Sequence, residues 1–142
     1  QSEAIASNLA LMSQLNTRII IVVTGEGGSG GALALGVGDH VSMLEHAIYS
    51  VASPEACASI VWRSSDKAEE AAEAMKLTAR DLIKLNIVDE IIEEPTGGAH
   101  RDYEIISQHV KQSLLLNIDN LNKIPLERLL ERRYLRLTEV GK

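Results

Sequence analysis

The sequence predicts an α/β fold in which strands and helices pack as layers. Three observations lead there. The run Ile19-Ile20-Ile21-Val22-Val23 is apolar and β-branched without interruption, the pattern of a strand buried on both faces. It leads at once into Gly25-Glu26-Gly27-Gly28-Ser29-Gly30-Gly31 and then Ala32-Leu33-Ala34-Leu35, which reads as strand, glycine loop, helix. The 142 residues hold no Phe, one Trp and three Tyr, so the core is built from Leu, Ile, Val, Ala and Met. Glycine and alanine in runs let backbones approach closely, which suits layered α/β packing better than an aromatic-rich sandwich.

The remaining elements follow from periodicity and caps. Ile5, Leu9 and Met12, with Leu15 nearby, form one stripe of a helix over 2–15, and Ser2 is placed to cap it. Val41 to Leu44 and Ile48 to Val51 are two short strands. Ser53-Pro54-Glu55 is a helix start: a cap, a proline at the first helical position, and an acid at the positive end of the dipole. That helix runs to Trp62. Asp66 opens an Ala/Glu-rich helix to about Met75. Thr78-Ala79-Arg80-Asp81 is a capping box with Asp in place of Glu, and its helix ends near Asn86. Ile87 to Ile92 is a strand, and Pro95 to His100 a turn-rich loop. A long helix over 102–121 and a basic one over 125–140 end the chain. The expected division is an α/β body, 1–101, followed by a helical tail, 102–142, with no Ser/Gly linker between them; the tail is therefore expected to pack on the body or on a partner.

Composition excludes several functions. Lys plus Arg number 14 and Asp plus Glu 20, a net charge of −6. That argues against an extended nucleic-acid-binding face. The longest apolar run, Ile19–Val23, is far too short to span a bilayer, and no basic segment leads into an apolar stretch at the start, so neither a membrane span nor a signal peptide is expected. The single cysteine, Cys57, makes no internal disulfide and no multi-thiolate metal site. A cytoplasmic protein fits these features. The chain begins with Gln1 rather than Met, so a truncated or processed chain is expected.

The glycine loop is the candidate site. Gly30 and Gly31 fall where a helix begins, at a cost of about 1 kcal/mol each relative to alanine if they are helical. The first helical N–H groups lack intrahelical partners, and without β-carbons around them a ligand oxygen can come close. Three readings stand open at this point. The glycines serve only a tight turn and close helix–sheet packing. They bind phosphate, although no Lys follows to make a P-loop and the G-x-G-x-x-G at Gly25, Gly27 and Gly30 is a weak match. Or their amides form an oxyanion hole. Among side chains, Glu26 and Glu55 are the nearest acids in sequence. Glu55 reads first as a helix-start carboxylate, and Cys57 as a small buried residue. His40, His46, His100 and His109 have no metal-ligand spacing, so no metal is expected. His100 reads as a turn histidine bonded to backbone. Trp62 and Leu82 are core residues by default, and Glu69-Glu70 and Arg132-Arg133 are solvated faces or subunit contacts.

Gly25 to Ala34, with Gly36-Val37-Gly38-Asp39 after it, resembles the carboxyltransferase α subunit of bacterial acetyl-CoA carboxylase. The likeness continues through Tyr49-Ser50-Val51, Ser53-Pro54-Glu55-Ala56-Cys57-Ala58, Ile60-Val61-Trp62, Ala71-Ala72-Glu73-Ala74-Met75, Val88-Asp89-Glu90-Ile91-Ile92, Glu94-Pro95, Gly97-Gly98-Ala99-His100-Arg101 and Arg132-Arg133-Tyr134. Even the opening Gln1-Ser2-Glu3-Ala4-Ile5-Ala6 is similar to the start of an interior helix of that family. The resemblance implies a ClpP/crotonase-like spiral of ββα units, of which this chain is the C-terminal half. It implies transfer of a carboxyl group from carboxybiotin on a biotin carboxyl carrier protein to acetyl-CoA, giving malonyl-CoA for fatty-acid synthesis. It also implies a zinc-ribbon β subunit as partner, in an α2β2 assembly. In that picture the amides of Gly30 and Gly31 hold the ureido oxygen of biotin, and Gly27, Gly28 and Ser29 line the biotin side of the cleft. The related enoyl-CoA hydratases use two acids, one of them two positions after the glycine pair; Leu33 stands there, so no hydration of enoyl-CoA is expected. A non-catalytic assembly fragment and a subunit of another biotin-dependent acyl-CoA carboxylase or decarboxylase are the alternatives. Half of such a fold is expected to leave the Ile19–Val23 edge and the 2–15 helix exposed, and to be multimeric or sticky and inactive by itself.

Overall fold

The structure is a computed structural model that describes residues 2–140; Gln1, which opens the resemblance above, lies outside the described residues. Helix α1 (Ser2–Gln14) turns its stripe of Ile5, Leu9 and Met12 inward to half-burial and leaves its other positions, apart from Ser13, exposed. Strand β1 (Ile20–Val23) and β2 (Glu26–Gly28) then lead into α2 (Ser29–Leu35). Strands β3 (His40–Leu44) and β4 (Ile48–Ser50) lead into α3 (Pro54–Trp62). A short 3-10 turn at Ser65–Lys67 precedes α4 (Ala68–Met75), followed by α5 (Ala79–Lys84) and β5 (Glu90–Ile92). A second 3-10 turn, Ala99–Arg101, leads to α6 (Tyr103–Asn122) and α7 (Leu126–Glu139).

Two strands and a helix therefore repeat, and the strands sort by order within each repeat. β1, β3 and β5 form one parallel sheet in that order, and β2 pairs with β4 in a second. Each of the first two turns of the chain adds one strand to each sheet before crossing through a helix, and β5 extends the three-stranded sheet alone. This is the ββα spiral of the crotonase type. The core lies on the β1–β3–β5 sheet, where Val41, Met43, Leu44, Leu82, Val88 and Ile92 meet Ile106 of α6.

Caps account for several boundaries. Ser53 accepts from the Ala56 amide at 3.2 Å with Pro54 at the first helical position. Thr78 accepts from the Asp81 amide at 3.3 Å and donates its hydroxyl to the Asp81 carboxylate at 2.7 Å. Asp102 accepts from the Glu104 and Ile105 amides at the head of α6. The helix expected from Asp66 opens instead as a 3-10 turn capped by Ser64. The strand expected from Ile87 begins only at Glu90, because the Ile87 and Val88 amides turn back to the Leu82 carbonyl.

Four expectations from the sequence are corrected. β1 is not buried on both faces: it is half-buried at every position, while its place at the edge of the sheet is the one expected of it. Trp62 is not core but 40% exposed, at the last position of α3. Cys57 is only half-buried. Arg133 is neither a solvated nor a subunit-contact residue: it is 1% exposed, whereas its neighbour Arg132 is exposed. Leu82, by contrast, is core as expected.

Arg133 carries the largest polar commitment of the fold. Its Nε and Nη2 donate to the two carboxylate oxygens of Asp39, at 2.9 and 2.8 Å. Its remaining donors reach the carbonyls of Met12, Leu15 and Thr17 at the end of α1. All five guanidinium N–H groups are thus spent. Asp39, in turn, accepts from the Ile19 amide at 2.7 Å and donates its own amide to the Ile19 carbonyl at 2.8 Å. Arg136 pairs with Asp89 and donates to the Ile87 carbonyl, and Arg18 reaches the carbonyls of Leu121 in the last turn of α6 and Ile124 just after it. The two C-terminal helices are tied to the sheet from both directions. Among the described residues, no helix is long and apolar enough to cross a membrane.

Removing one partner of a buried pair leaves the other charge uncompensated, which costs about 3–5 kcal/mol. Arg133→Ala is expected to lose stability on that scale in urea denaturation. Arg133→Lys recovers little, because an ammonium offers three donors and no planar fork, while Arg132→Ala stays within about 0.5 kcal/mol of the parent. An Arg133→Ala variant as stable as Arg132→Ala would refute this account.

Candidate functional site

The glycine segment is a strand, an elbow and a helix. Gly27 and Gly28 lie in β2, opposite Tyr49 and Ser50 of β4. Gly28 stands ahead of α2 in an extended conformation, and no side chain caps the helix. The chain turns at Ser29, whose φ is +58°, a left-handed conformation that costs a residue with a β-carbon about 1 kcal/mol. Ser29 is exposed. The result is a helix start whose first amides meet no capping side chain.

The glycines around it differ in what their missing side chains leave. A β-carbon on Gly28 or Gly31 would meet nothing within 4 Å. One on Gly30 would come 3.3 Å from Cδ1 of Ile5, because α1 packs across α2. Gly31 and Gly28 therefore face open space, whereas Gly30 also serves the contact between helices. Packing explains part of the motif and leaves the Gly28–Gly31 face unexplained by packing.

The structure does not bring the acids and histidines of the sequence into this site. Glu26 on β2 and Glu55 on the first turn of α3 are both exposed. Leu33 is 58% exposed on α2. His40 Nε2 lies 3.2 Å from Glu90, His46 Nδ1 3.4 Å from Glu94, and His109 Nδ1 bonds to the Glu93 carbonyl. His100 is exposed, beside Gly98. Among the described residues, no group of three or more His, Cys, Asp and Glu is placed to hold a metal ion.

The Glu94-to-Arg101 motif is structural. The Glu94 side chain, 5% exposed, accepts from the Ala99 amide at 2.6 Å and the His46 amide at 3.0 Å. It thereby joins the β3–β4 turn to the loop ahead of α6. Gly97 and Gly98 turn that loop with φ of +90° and +101°. Glu90, half-buried, accepts from Ser42, Ser113 and Asn117 on the face where α6 meets the sheet. Burial alone would raise both carboxyls, but the hydrogen bonds outweigh it, so both titrate below the ordinary value of 4.5. The sequence held no periodic signal for either carboxylate; only the fold collects their donors.

The chain matches the family described as "Acetyl co-enzyme A carboxylase carboxyltransferase-like" over residues 1–141. It belongs to that family. A protein of Vibrio campbellii named acetyl-coenzyme A carboxylase carboxyl transferase subunit alpha is 58% identical over 141 residues, 99% of this chain and 44% of the relative. A Vibrio cholerae protein of the same name is 59% identical over the same shares. The chain spans less than half the length of these relatives. Among solved structures, a Pseudomonas malonate decarboxylase hetero-tetramer in complex with coenzyme A is similar with a TM-score of 0.71 at 17% identity, over 93% of this chain and 52% of that one. An enoyl-CoA hydratase/isomerase of Marinobacter aquaeolei gives 0.59 at 17% identity, over 98% and 51%. Both establish the fold alone. The transcarboxylase 12S structure, with methylmalonyl-coenzyme A and methylmalonic acid bound, gives 0.55 at 26% identity over 63% of this chain and 19% of that one.

Two outcomes follow. Ser29→Gly relieves the left-handed strain and is expected to stabilise the protein by about 1 kcal/mol, read as a higher melting temperature; no gain would show that the elbow carries no strain. Because the folded Glu90 and Glu94 carboxyls titrate below their unfolded value, their stabilisation is present above about pH 4.5 and is lost as pH falls through the folded values. Glu94→Gln is expected to be less stable near neutral pH and to lose less on acidification, measured by denaturation at about pH 7 and about pH 4. Parallel losses for parent and variant would contradict it.

Proposed function

We propose that the chain contributes the biotin side of an acetyl-CoA carboxyltransferase site, as part of an α subunit working with a β subunit and a biotin carboxyl carrier protein in an α2β2 assembly. The reaction moves a carboxyl group from carboxybiotin to acetyl-CoA and yields malonyl-CoA for fatty-acid synthesis in the cytoplasm. The observation that carries this reading is the bare, glycine-flanked start of α2 in a chain 58% identical to a protein named for this activity.

Biotin on its carrier supplies the transferable carboxyl group. The glycine face fits such a group, since no side chain fills the space over Gly28 and Gly31. Gly27, Gly28 and Ser29 form the wall along which it approaches. The amides of Gly30 and Gly31 then present fixed donors to an oxygen that gains negative charge during transfer, without reorganisation at the moment of reaction. No side-chain acid or base of this chain takes part. Leu33, in the position that the hydratases give to an acid, makes the segment unsuited to adding water. Exposed Ile60, Val61 and Trp62 at the end of α3 support the assembly part of the reading, because clustered apolar surface marks interfaces.

Gly31→Val tests the donor role more cleanly than a change at Gly30, which would also press on Ile5. Gly31 has no positive φ, so the backbone tolerates the substitution. In a full-length α subunit assembled with β, malonyl-CoA formation is expected to fall about 10²-fold or more with the circular dichroism spectrum unchanged. Unchanged turnover would remove the oxyanion role and leave only packing.

A further inference from the structure

We propose that Tyr49 is a positioning residue for the Gly30 and Gly31 amides, setting the roll of α2 against the two-stranded sheet; this rests on the oxyanion reading above. Tyr49 sits on β4 directly opposite Gly27 of β2. Its ring lies where a side chain on Gly27 would stand: a β-carbon there would come 2.8 Å from Cδ2. Its hydroxyl donates to the Ala32 carbonyl at 3.2 Å, in the turn of α2 that follows Gly31. The same hydroxyl occupies the place of a side chain on Gly36, the residue that ends α2, where a β-carbon would overlap it outright.

One side chain therefore touches the segment before the elbow, within the helix, and after the helix. Ile5 of α1 stands over the side-chain space of Gly30, so α2 lies between Ile5 and Tyr49. The Ala32 carbonyl has two lone pairs, and both are used: one takes the Gly36 amide at 2.8 Å, the other the Tyr49 hydroxyl. The first turn of α2 has no capping side chain of its own, so its orientation depends on these outside contacts. Tyr49 also lines, with Val23, Gly27, Ala32 and Leu35, a cavity of about 280 Å³ behind the loop, and without its ring α2 would be free to settle into that space. Burial raises the Tyr49 hydroxyl above its ordinary value, so it stays protonated and remains a donor throughout the neutral range.

The experiment uses the full-length α subunit assembled with β and compares Tyr49→Phe, Gly36→Ala, the double variant and Gly31→Val. Tyr49→Phe keeps the ring on Gly27 and loses only the bond to Ala32. It is expected to lower kcat about 10-fold while KM for acetyl-CoA and the melting temperature hold, because sub-ångström misplacement of donors acts on the transition state. Gly36→Ala displaces the hydroxyl and is expected to lower kcat further. Adding Tyr49→Phe to Gly36→Ala removes the overlap with the hydroxyl, leaving the 3.1 Å approach to the Ala32 carbonyl, and restores part of that loss. Tyr49→Phe with wild-type kcat, or a loss that follows KM or melting temperature, or a double variant without rescue, would each overturn the proposal. If Gly31→Val loses turnover while Tyr49→Phe does not, only the positioning role fails; if Gly31→Val is also unaffected, the oxyanion reading itself has failed.

Discussion

The buried pair between Arg133 and Asp39 is the constraint on which the rest of the chain depends. It lies between residues 94 positions apart, with side chains 0% and 2% exposed. Burying two charges is costly unless every donor and lone pair finds a partner. Here Asp39 also receives the Ile19 amide, and Arg133 also closes the end of α1. The pair thus fixes three things together: where α1 ends, how β1 enters the sheet beside β3, and where α7 lies. α1 must be held there if Ile5 is to reach Gly30.

The ββα spiral then sets the glycine segment at a junction of both sheets. β1 belongs to the three-stranded sheet and β2 to the two-stranded one, with only Thr24 and Gly25 between them. The chain must change direction twice within a few residues, into β2 and again at Ser29. Small residues are needed where neighbours pass closely, and Ser29 absorbs the left-handed turn. The same economy of side chains that permits the turn leaves amides open at the helix start. Geometry for packing and geometry for an anion site arise from one short stretch, which is why spacing by itself left three readings of it open.

Much of this was legible residue by residue. The Ile5–Leu9–Met12 stripe, the caps at Ser53 and Thr78, and the succession of short strands and helices are local properties, set by side chains within one or two turns of each other. The glycine pair was legible for the same reason. Ser29's left-handed φ was not, since a serine carries no mark of it; Gly28, beside it, is extended. Trp62 misled because apolar character predicts burial only when something is present to bury it. The apolar run of β1 misled in the same way: it reports compatibility with two-sided burial, not its occurrence.

What the sequence determined by itself is the α/β class, the helix starts at Ser53 and Thr78, the glycine loop between strand and helix and, through motifs that run nearly its whole length, the family. These rest on contacts between near neighbours, or on strings long enough to be specific. What only the tertiary structure decided is the partnership of polar groups outside local reach: Arg133 with Asp39, Glu90 with Ser113 and Asn117, Glu94 with the His46 and Ala99 amides, and Tyr49 with the Ala32 carbonyl. An arginine in the string Glu131-Arg132-Arg133 looks the same whether it is solvated or buried. Its fate depends on whether the folded chain brings five acceptors to it, and those acceptors lie 94 to 121 residues away.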